Sequence, residues 1–189
     1  MRRVAIFASG NGSNFQAIID NVRDGKIKIE VPLLIVDKEN AYALERAKKS
    51  GVDAYYINPK AYASKEEYER VILEYLRKYD IDFIALAGYM RLIGDVLLDA
   101  YEGRMINIHP ALLPSFKGKD AIEQAYNFGC KVMGITIHYV DKGMDSGKII
   151  AQDSFRLEKD DTLEIAEAKI HALEHRLYPE VLKELLEER

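Results

Sequence analysis

Cysteine is nearly absent from this sequence, tryptophan is absent altogether, and no long apolar run interrupts its 189 residues. Each shortage excludes something. The one thiol, Cys130, cannot close an internal disulfide, which fits a reducing compartment, so a cytoplasmic location is expected. It follows Gly129 and leads into an apolar stretch, so a buried structural thiol is expected and not a nucleophile. No segment approaches the roughly 20 apolar residues that span a bilayer, and no membrane association is expected. The N-terminal run from Val4 to Ala8 is short and stops at glycines, so it reads as a first strand and not as a signal peptide. An excess of basic charge is missing too. Against 27 Lys and Arg stand 31 Asp and Glu, a net charge of −4, whereas a general nucleic-acid binder shows a basic surface. No nucleic-acid partner is expected; small anions, held by local groups, stay open.

What is present is ordinary for a globular chain. Hydrophobic residues make up 48% and charged residues 31%, and the length suits one domain with a real core. The charged helical positions Lys65, Glu66, Glu67, Glu69 and Arg70 read as a solvated face.

Strand-like and helix-like segments alternate. Val4–Ala8 is followed by a helical pattern through Phe15, Ile18, Ile19 and Val22, and Val31–Val36 by a helix over Tyr42–Lys49 stopped at Gly51, a usual C-terminal residue. Asp53–Ile57 is a short strand, and Ser64-Lys-Glu-Glu67 is a capping box that opens a helix with Tyr68, Val71, Ile72 and Tyr75 on one face. Ile81–Ala87 is a continuous apolar run, as in parallel strands buried on both faces. A helix over Gly94–Tyr101 precedes a strand at Met105–His109. This βαβα order predicts a mainly parallel, Rossmann-like α/β sheet with helices on both faces. Then the pattern changes. Val132–Val140 and Lys148–Phe155 are separated by too few residues for a helical crossover, so antiparallel strands are expected late in the chain. Asp161-Thr-Leu-Glu164 is expected to cap a last helix to about Leu177, with Pro179 kinking or breaking it before a final amphipathic piece.

Two stretches carry chemistry. Ser9-Gly-Asn-Gly-Ser-Asn14 lies between the first strand and first helix, where glycines permit a sharp turn and helix amides attract an anion. It lacks the third glycine of the dinucleotide fingerprint and the Lys-Ser/Thr of a P-loop. A phosphate cradle and a plain glycine turn both fit it; its place after the first strand of a parallel sheet favours a ligand. The second stretch is Met105-Ile-Asn-Ile-His-Pro110. Strand alternation puts Asn107 and His109 on one face, about 7 Å apart, although Asn is a poor strand former. Pro110 then ends the ladder. An amide and a protonated imidazole can both donate to an oxygen gaining negative charge. Keeping that imidazole charged near pH 7 asks for a carboxylate, and Asp141 or Asp145 in the loop between the late strands could supply it. A polar outer face on a half-exposed strand is the plainer alternative. His171-Ala-Leu-Glu-His175 matches a zinc-peptidase pattern, but the 14 residues after it leave little room for a third ligand. No metal is expected.

With these residues in place, the chain resembles the phosphoribosylglycinamide formyltransferase family, the folate-dependent formyltransferases of purine synthesis. The likeness runs through Ser9–Asn14, Leu86–Ile93, Asn107–Pro114, Gly134–Gly147 and Glu174–Pro179. It implies transfer of the formyl group of 10-formyltetrahydrofolate, the co-substrate, to the amine of glycinamide ribonucleotide, with no metal. It implies a ribonucleotide phosphate loop of Gly12, Ser13 and Asn14 in the N-terminal half, and folate and catalytic sites in the C-terminal half. Folate contacts fall on Lys65, on Met90, Arg91, Leu92 and Ile93, on Asn107, and on Asp141, Lys142, Gly143, Met144 and Asp145. Further ribonucleotide contacts fall on His171, Ala172, Leu173 and Glu174. Asn107, His109 and Asp145 are implied as the catalytic set, and a monomer or homodimer is expected. There are departures: Ala111 where Ser is frequent, Asp120 where His or Asn is common, and His171 where Gln or Lys is usual. The alternatives are a hydrolase of the same formyl-folate, an initiator-tRNA formyltransferase and a non-catalytic folate or nucleotide module.

Overall fold

The structure is a computed structural model and describes residues 1–187. In chain order its elements begin β1 (Arg2–Ala8), α1 (Ser13–Arg23), β2 (Ile29–Val36), α2 (Ala43–Ser50), β3 (Asp53–Tyr56), α3 (Lys65–Lys78) and β4 (Phe83–Leu86). They continue with α4 (Asp95–Ala100), β5 (Met105–His109), α5 (Ala121–Phe128), β6 (Val132–Tyr139), β7 (Ile149–Arg156) and α6 (Leu163–Glu187). All seven strands form one sheet in the order β3-β2-β1-β4-β5-β6-β7. The first five pair in parallel, and β6 and β7 are antiparallel, so the expected single α/β domain and its late change of direction are both present.

The apolar runs explain the layers. Along β1, Val4, Ile6 and Ala8 enter one core with Phe15, Ile18, Ile170 and Tyr178, while Ala5 and Phe7 enter the other with Tyr68, Ile72, Leu76 and Leu97. A strand with no polar face must be covered twice, by α1 and α6 on one side and by α3 and α4 on the other. The chain leaves β1 toward β2 and β3, then crosses back to β4 on the other side. That reversal opens a crevice at the C-terminal ends of β1 and β4, where ligands of such sheets bind.

Four expectations need correction. The α5 helix has no counterpart in the sequence pattern, because Ala121–Phe128 is only 8 residues long and presents just Ala121 and Ala125 as buried contacts. Pro179 does not break the last helix, which runs unbroken from Leu163 to Glu187. Tyr178, Pro179, Val181 and Leu182 are buried there, so packing on both sides of the proline holds the backbone despite one lost bond. Its start is capped by Thr162, whose Oγ1 accepts from Ile165 N–H, while Asp161 pairs with Lys169 instead. Glu69, finally, is not part of a solvated face: it is 2% exposed, and its carboxylate accepts from Gly94 N–H at 2.5 Å and Leu97 N–H at 3.4 Å. It serves as the cap of α4, whose own N-terminal flank is a glycine with nothing to offer.

Candidate active site

β5 behaves as its alternation predicts. Met105 packs into one core and Ile106 and Ile108 into the other, which leaves Asn107 and His109 on the side of Met105 at the strand's tip. Across the antiparallel junction Asn107 pairs with His138 and His109 with Thr136. His109 is 4% and His138 3% exposed, so these rings are held by protein and not by solvent.

Both nitrogens of His109 are occupied. Nδ1 lies 3.4 Å from Asp145 Oδ2, and Nε2 lies 2.7 Å from the Phe116 carbonyl oxygen. A carbonyl can only accept, so Nε2 carries a proton in this contact. Asp145 Oδ2 also accepts from Gly118 N–H at 2.7 Å, and Oδ1 is 3.7 Å from His138 Nε2. Burial alone would raise the Asp145 pKa. The Gly118 N–H and the charge of His109 outweigh that and hold it below the usual carboxylate range, while His138 Nε2 at 3.7 Å is beyond hydrogen-bond reach. Asp145 itself has φ 48°, a left-handed conformation uncommon for a non-glycine residue. The backbone thus holds this carboxylate in an unfavourable conformation under two histidines.

The glycine-rich turn forms the opposite wall. Gly12 is the N-terminal cap of α1 with φ 75°, and the first turn contains no acidic residue. The leading amides of α1, from Ser13 onward, therefore open toward the crevice without a carboxylate competing for an anion. Arg46 clamps the turn, donating to the Asn11 carbonyl and to Asn11 Oδ1, each at 2.8 Å. Asn14 is turned inward: its Nδ2 donates to Glu174 Oε2 at 3.2 Å. The same oxygen is 2.9 Å from His171 Nδ1. That bond raises the His171 pKa against the opposing effect of burial, with the charges of Glu174 and Glu167 adding to it.

The two walls enclose one cavity of about 700 Å³. It brings together Gly12, Ser13, Asn14, His171 and Glu174 with Met90, Arg91, Leu92, Ile93, Asn107, His109, Asp141, Gly143, Met144 and Asp145. Asp120 and Ala121, at the start of α5, complete the rim. Lys65, Lys142, Ala172 and Leu173 are not among the lining residues. Lys142 pairs with Asp95 at 2.9 Å, Ala172 is exposed and Leu173 is half-buried. Met90, Leu92 and Met144 are exposed at 58%, 48% and 51%, an apolar rim ready to be covered by a flat, hydrophobic molecule.

Sequence reasoning missed several participants. His138 sits directly opposite Asn107, and its signal was the antiparallel pairing already expected for its strand. Phe116 and Gly118 contribute backbone atoms, which no side-chain motif announces. Ser9, 3% exposed, accepts from Met90 N–H at 2.8 Å and so ties the glycine turn to the 90–93 segment.

The family model described as formyl transferase matches residues 2–182. The chain is 51% identical to the phosphoribosylglycinamide formyltransferase of Bacillus subtilis over 98% of its own length and 95% of that protein's. It is 36% identical to the human trifunctional purine biosynthetic protein adenosine-3, over 96% of this chain and 18% of that much longer one. Among solved structures, the phosphoribosylglycinamide formyltransferase of Bacillus halodurans superimposes with a TM-score of 0.95 at 54% identity, covering 98% of this chain and 95% of that one. The glycinamide ribonucleotide transformylase 1 of Symbiobacterium toebii gives 0.96 at 43%, covering 100% and 89%.

Proposed function

The chain belongs to the formyl transferase family, and on that premise we propose that its crevice joins a ribonucleotide phosphate at the glycine turn to 10-formyltetrahydrofolate at the opposite rim. The reaction is formyl transfer onto phosphoribosylglycinamide in purine biosynthesis, with a formyl-folate as donor. The N-terminal half supplies the phosphate turn and the 90–93 part of the folate wall, and the C-terminal half supplies the catalytic groups, the 141–145 loop and the Glu174 contact. The observation that carries the mechanism is the grouping of Asn107, His109 and Asp145 at one end of a cavity whose other end is an open helix N-terminus.

The substrate amine attacks the formyl carbon and forms a C–N bond, and the carbonyl electrons move to oxygen. Asn107 Nδ2–H and a His109 N–H donate to that oxyanion, and each such donor is worth a factor of about 10²–10³ in rate. Asp145 holds His109 in its cationic form. Collapse of the intermediate breaks the bond to the folate N10, which takes up a proton as the attacking nitrogen loses one. His109 reaches the substrate only by exchanging its Phe116 contact for the new oxyanion. Glu174 and His171 hold the ribonucleotide together with Gly12, Ser13 and Asn14. The exposed faces of Met90, Leu92 and Met144 cover the folate, and Arg91, Ile93, Asp141 and Gly143 complete its walls. Lys65 and Lys142 reach only parts of it that project beyond the cavity, and Ala172 and Leu173 act through the helix turn that carries Glu174.

The test incubates the protein with 10-formyltetrahydrofolate, with and without the ribonucleotide, while the folate product is followed. Product that requires the ribonucleotide is expected. Equal turnover in its absence would mean a hydrolase, and none in either case a binding module.

A further inference from the structure

An amide such as that of Asn107 has two ends of opposite character. Turned one way it donates to a developing oxyanion; turned the other it presents a second oxygen and repels it. Something must fix the choice, and the neighbouring strand supplies a candidate. His138 is the residue directly opposite Asn107 in the β5–β6 pair, where facing side chains are within contact. Its Nδ1 lies 2.8 Å from the Tyr139 carbonyl, an acceptor, so Nδ1 carries the hydrogen. In the neutral ring Nε2 is then left with a lone pair, and that nitrogen stands 3.3 Å from Asn107 Nδ2. Asp145 Oδ1 is farther away, at 3.7 Å, and its other oxygen is engaged by Gly118.

The backbone is arranged around this tautomer. The β6–β7 register slips between Ile137 and His138, a bulge of the kind that re-aims a side chain beside a site. Gly147 packs so closely on the Tyr139 carbonyl that any Cβ there would collide with it. The oxygen that fixes Nδ1–H is itself wedged in place.

We propose that His138 is a positioning residue for formyl transfer: its neutral ring accepts one hydrogen of the Asn107 amide at Nε2 and thereby aims the other at the formyl oxygen. The inference rests on the proposed role of Asn107, and its test separates the two. Steady-state rates and both KM values are compared for the full-length protein and its variants Asn107→Ala, His138→Leu, His138→Gln and Asn107→Ala/His138→Leu. Misorienting a reacting group is worth on the order of 10- to 100-fold, so His138→Leu should lower kcat by that much and leave both KM values within about threefold. His138→Gln, whose amide oxygen can accept the same hydrogen, should recover most of the loss. In the Asn107→Ala background His138→Leu should cost little more. A folded His138→Leu with wild-type kcat, or one that loses as much with Asn107 absent as with it present, would overturn the inference. If His138→Leu does not fold, His138→Gln decides alone: a kcat as low as that of Asn107→Ala overturns it, and a near-native kcat with unchanged KM supports it. Wild-type kcat in Asn107→Ala would instead refute the catalytic role of Asn107 itself.

Discussion

The Nε2 of His109 lies 2.7 Å from the carbonyl oxygen of Phe116. Phe116 adopts φ 53°, a left-handed conformation that costs a bulky residue roughly 1–3 kcal/mol. Two bonds hold that turn down, this one and the one from Gly118 N–H to Asp145. The turn therefore sits on His109 and on the carboxylate proposed to act through it. In the free protein the His109 Nε2 proton should be seen by NMR as a slowly exchanging resonance, shielded from water by burial and by Phe116. Adding the ribonucleotide together with a non-reactive formyl-folate analogue should shift it, because the proton then faces a new acceptor. An unmoved resonance in the ternary complex would mean that His109 keeps its backbone partner and does not donate to the formyl oxygen.

His171 gives a pH dependence with a defined sign. Its pKa is raised above 6.5, first by the Glu174 hydrogen bond, against burial. The charged form's contribution is complete below 6.5 and lost as pH rises through the folded value. The same charge stands beside the proposed phosphate site. KM for the ribonucleotide should thus climb as pH passes upward out of the imidazole range. His171 is half exposed, where a charge pair contributes about 0.2–1 kcal/mol, so the climb should stay within about fivefold and shrink in salt. His171→Gln should flatten it. A climb of the same size in His171→Gln would place the titration on another group.

How far the sequence disclosed this site follows from where its information sits. The strand positions of Asn107 and His109, the glycine turn and the reversal of strand direction are all local patterns, and all are present as read. Local patterns offer Asp141 and Asp145 alike as the carboxylate; the resemblance singles out Asp145 and adds Glu174 and the 90–93 segment. What stayed hidden depends on contacts distant in sequence. Glu69 looks like any charged helix residue until α4 arrives to use it, 25 residues later. The backbone oxygen of Phe116 has no signature at all. Pro179 misled because its local rule was outweighed by tertiary burial.

Glu69 yields a prediction that divides the two substrates. Its carboxylate ties α3 to the start of α4, immediately after Met90–Ile93. Tyr68, the preceding residue, reinforces the tie: its hydroxyl bonds that of Tyr89 at 2.8 Å, and Arg91 lies over its ring, 5.5 Å from the centroid. Hydrogen bonds to a charged group contribute about 1.5–3 kcal/mol, so Glu69→Ala should lower the unfolding free energy by about that much. The folate segment loses its anchor, so KM for the formyl-folate should rise severalfold while KM for the ribonucleotide stays put. Denaturant titration and steady-state kinetics measure the two effects. Equal rises in both KM values would show general loosening and not a local brace.

Gly12 joins backbone geometry to substrate choice. At φ 75° any L-residue is strained by about 1–2 kcal/mol. A Cβ there would also meet Ala43 Cβ at 2.7 Å and Ala43 Cα at 2.9 Å. Neither atom is free to move, because Ala43 N–H donates to the Gly10 carbonyl and Arg46, one turn on, clamps Asn11. Gly12→Ala must therefore push the start of α1 away from α2 and spoil the aim of its leading amides. Loss of one charge-assisted bond to a phosphate, about 1.5–3 kcal/mol, predicts a ribonucleotide KM raised about 10- to 100-fold. KM for the formyl-folate should change less than about twofold, because the hydrogen bond that joins the 90–93 segment to this turn is made by Ser9 and not by Gly12. Calorimetric titration with the ribonucleotide should show the same loss without turnover. If both substrates weaken alike, the turn supports the sheet as a whole and the phosphate lies elsewhere.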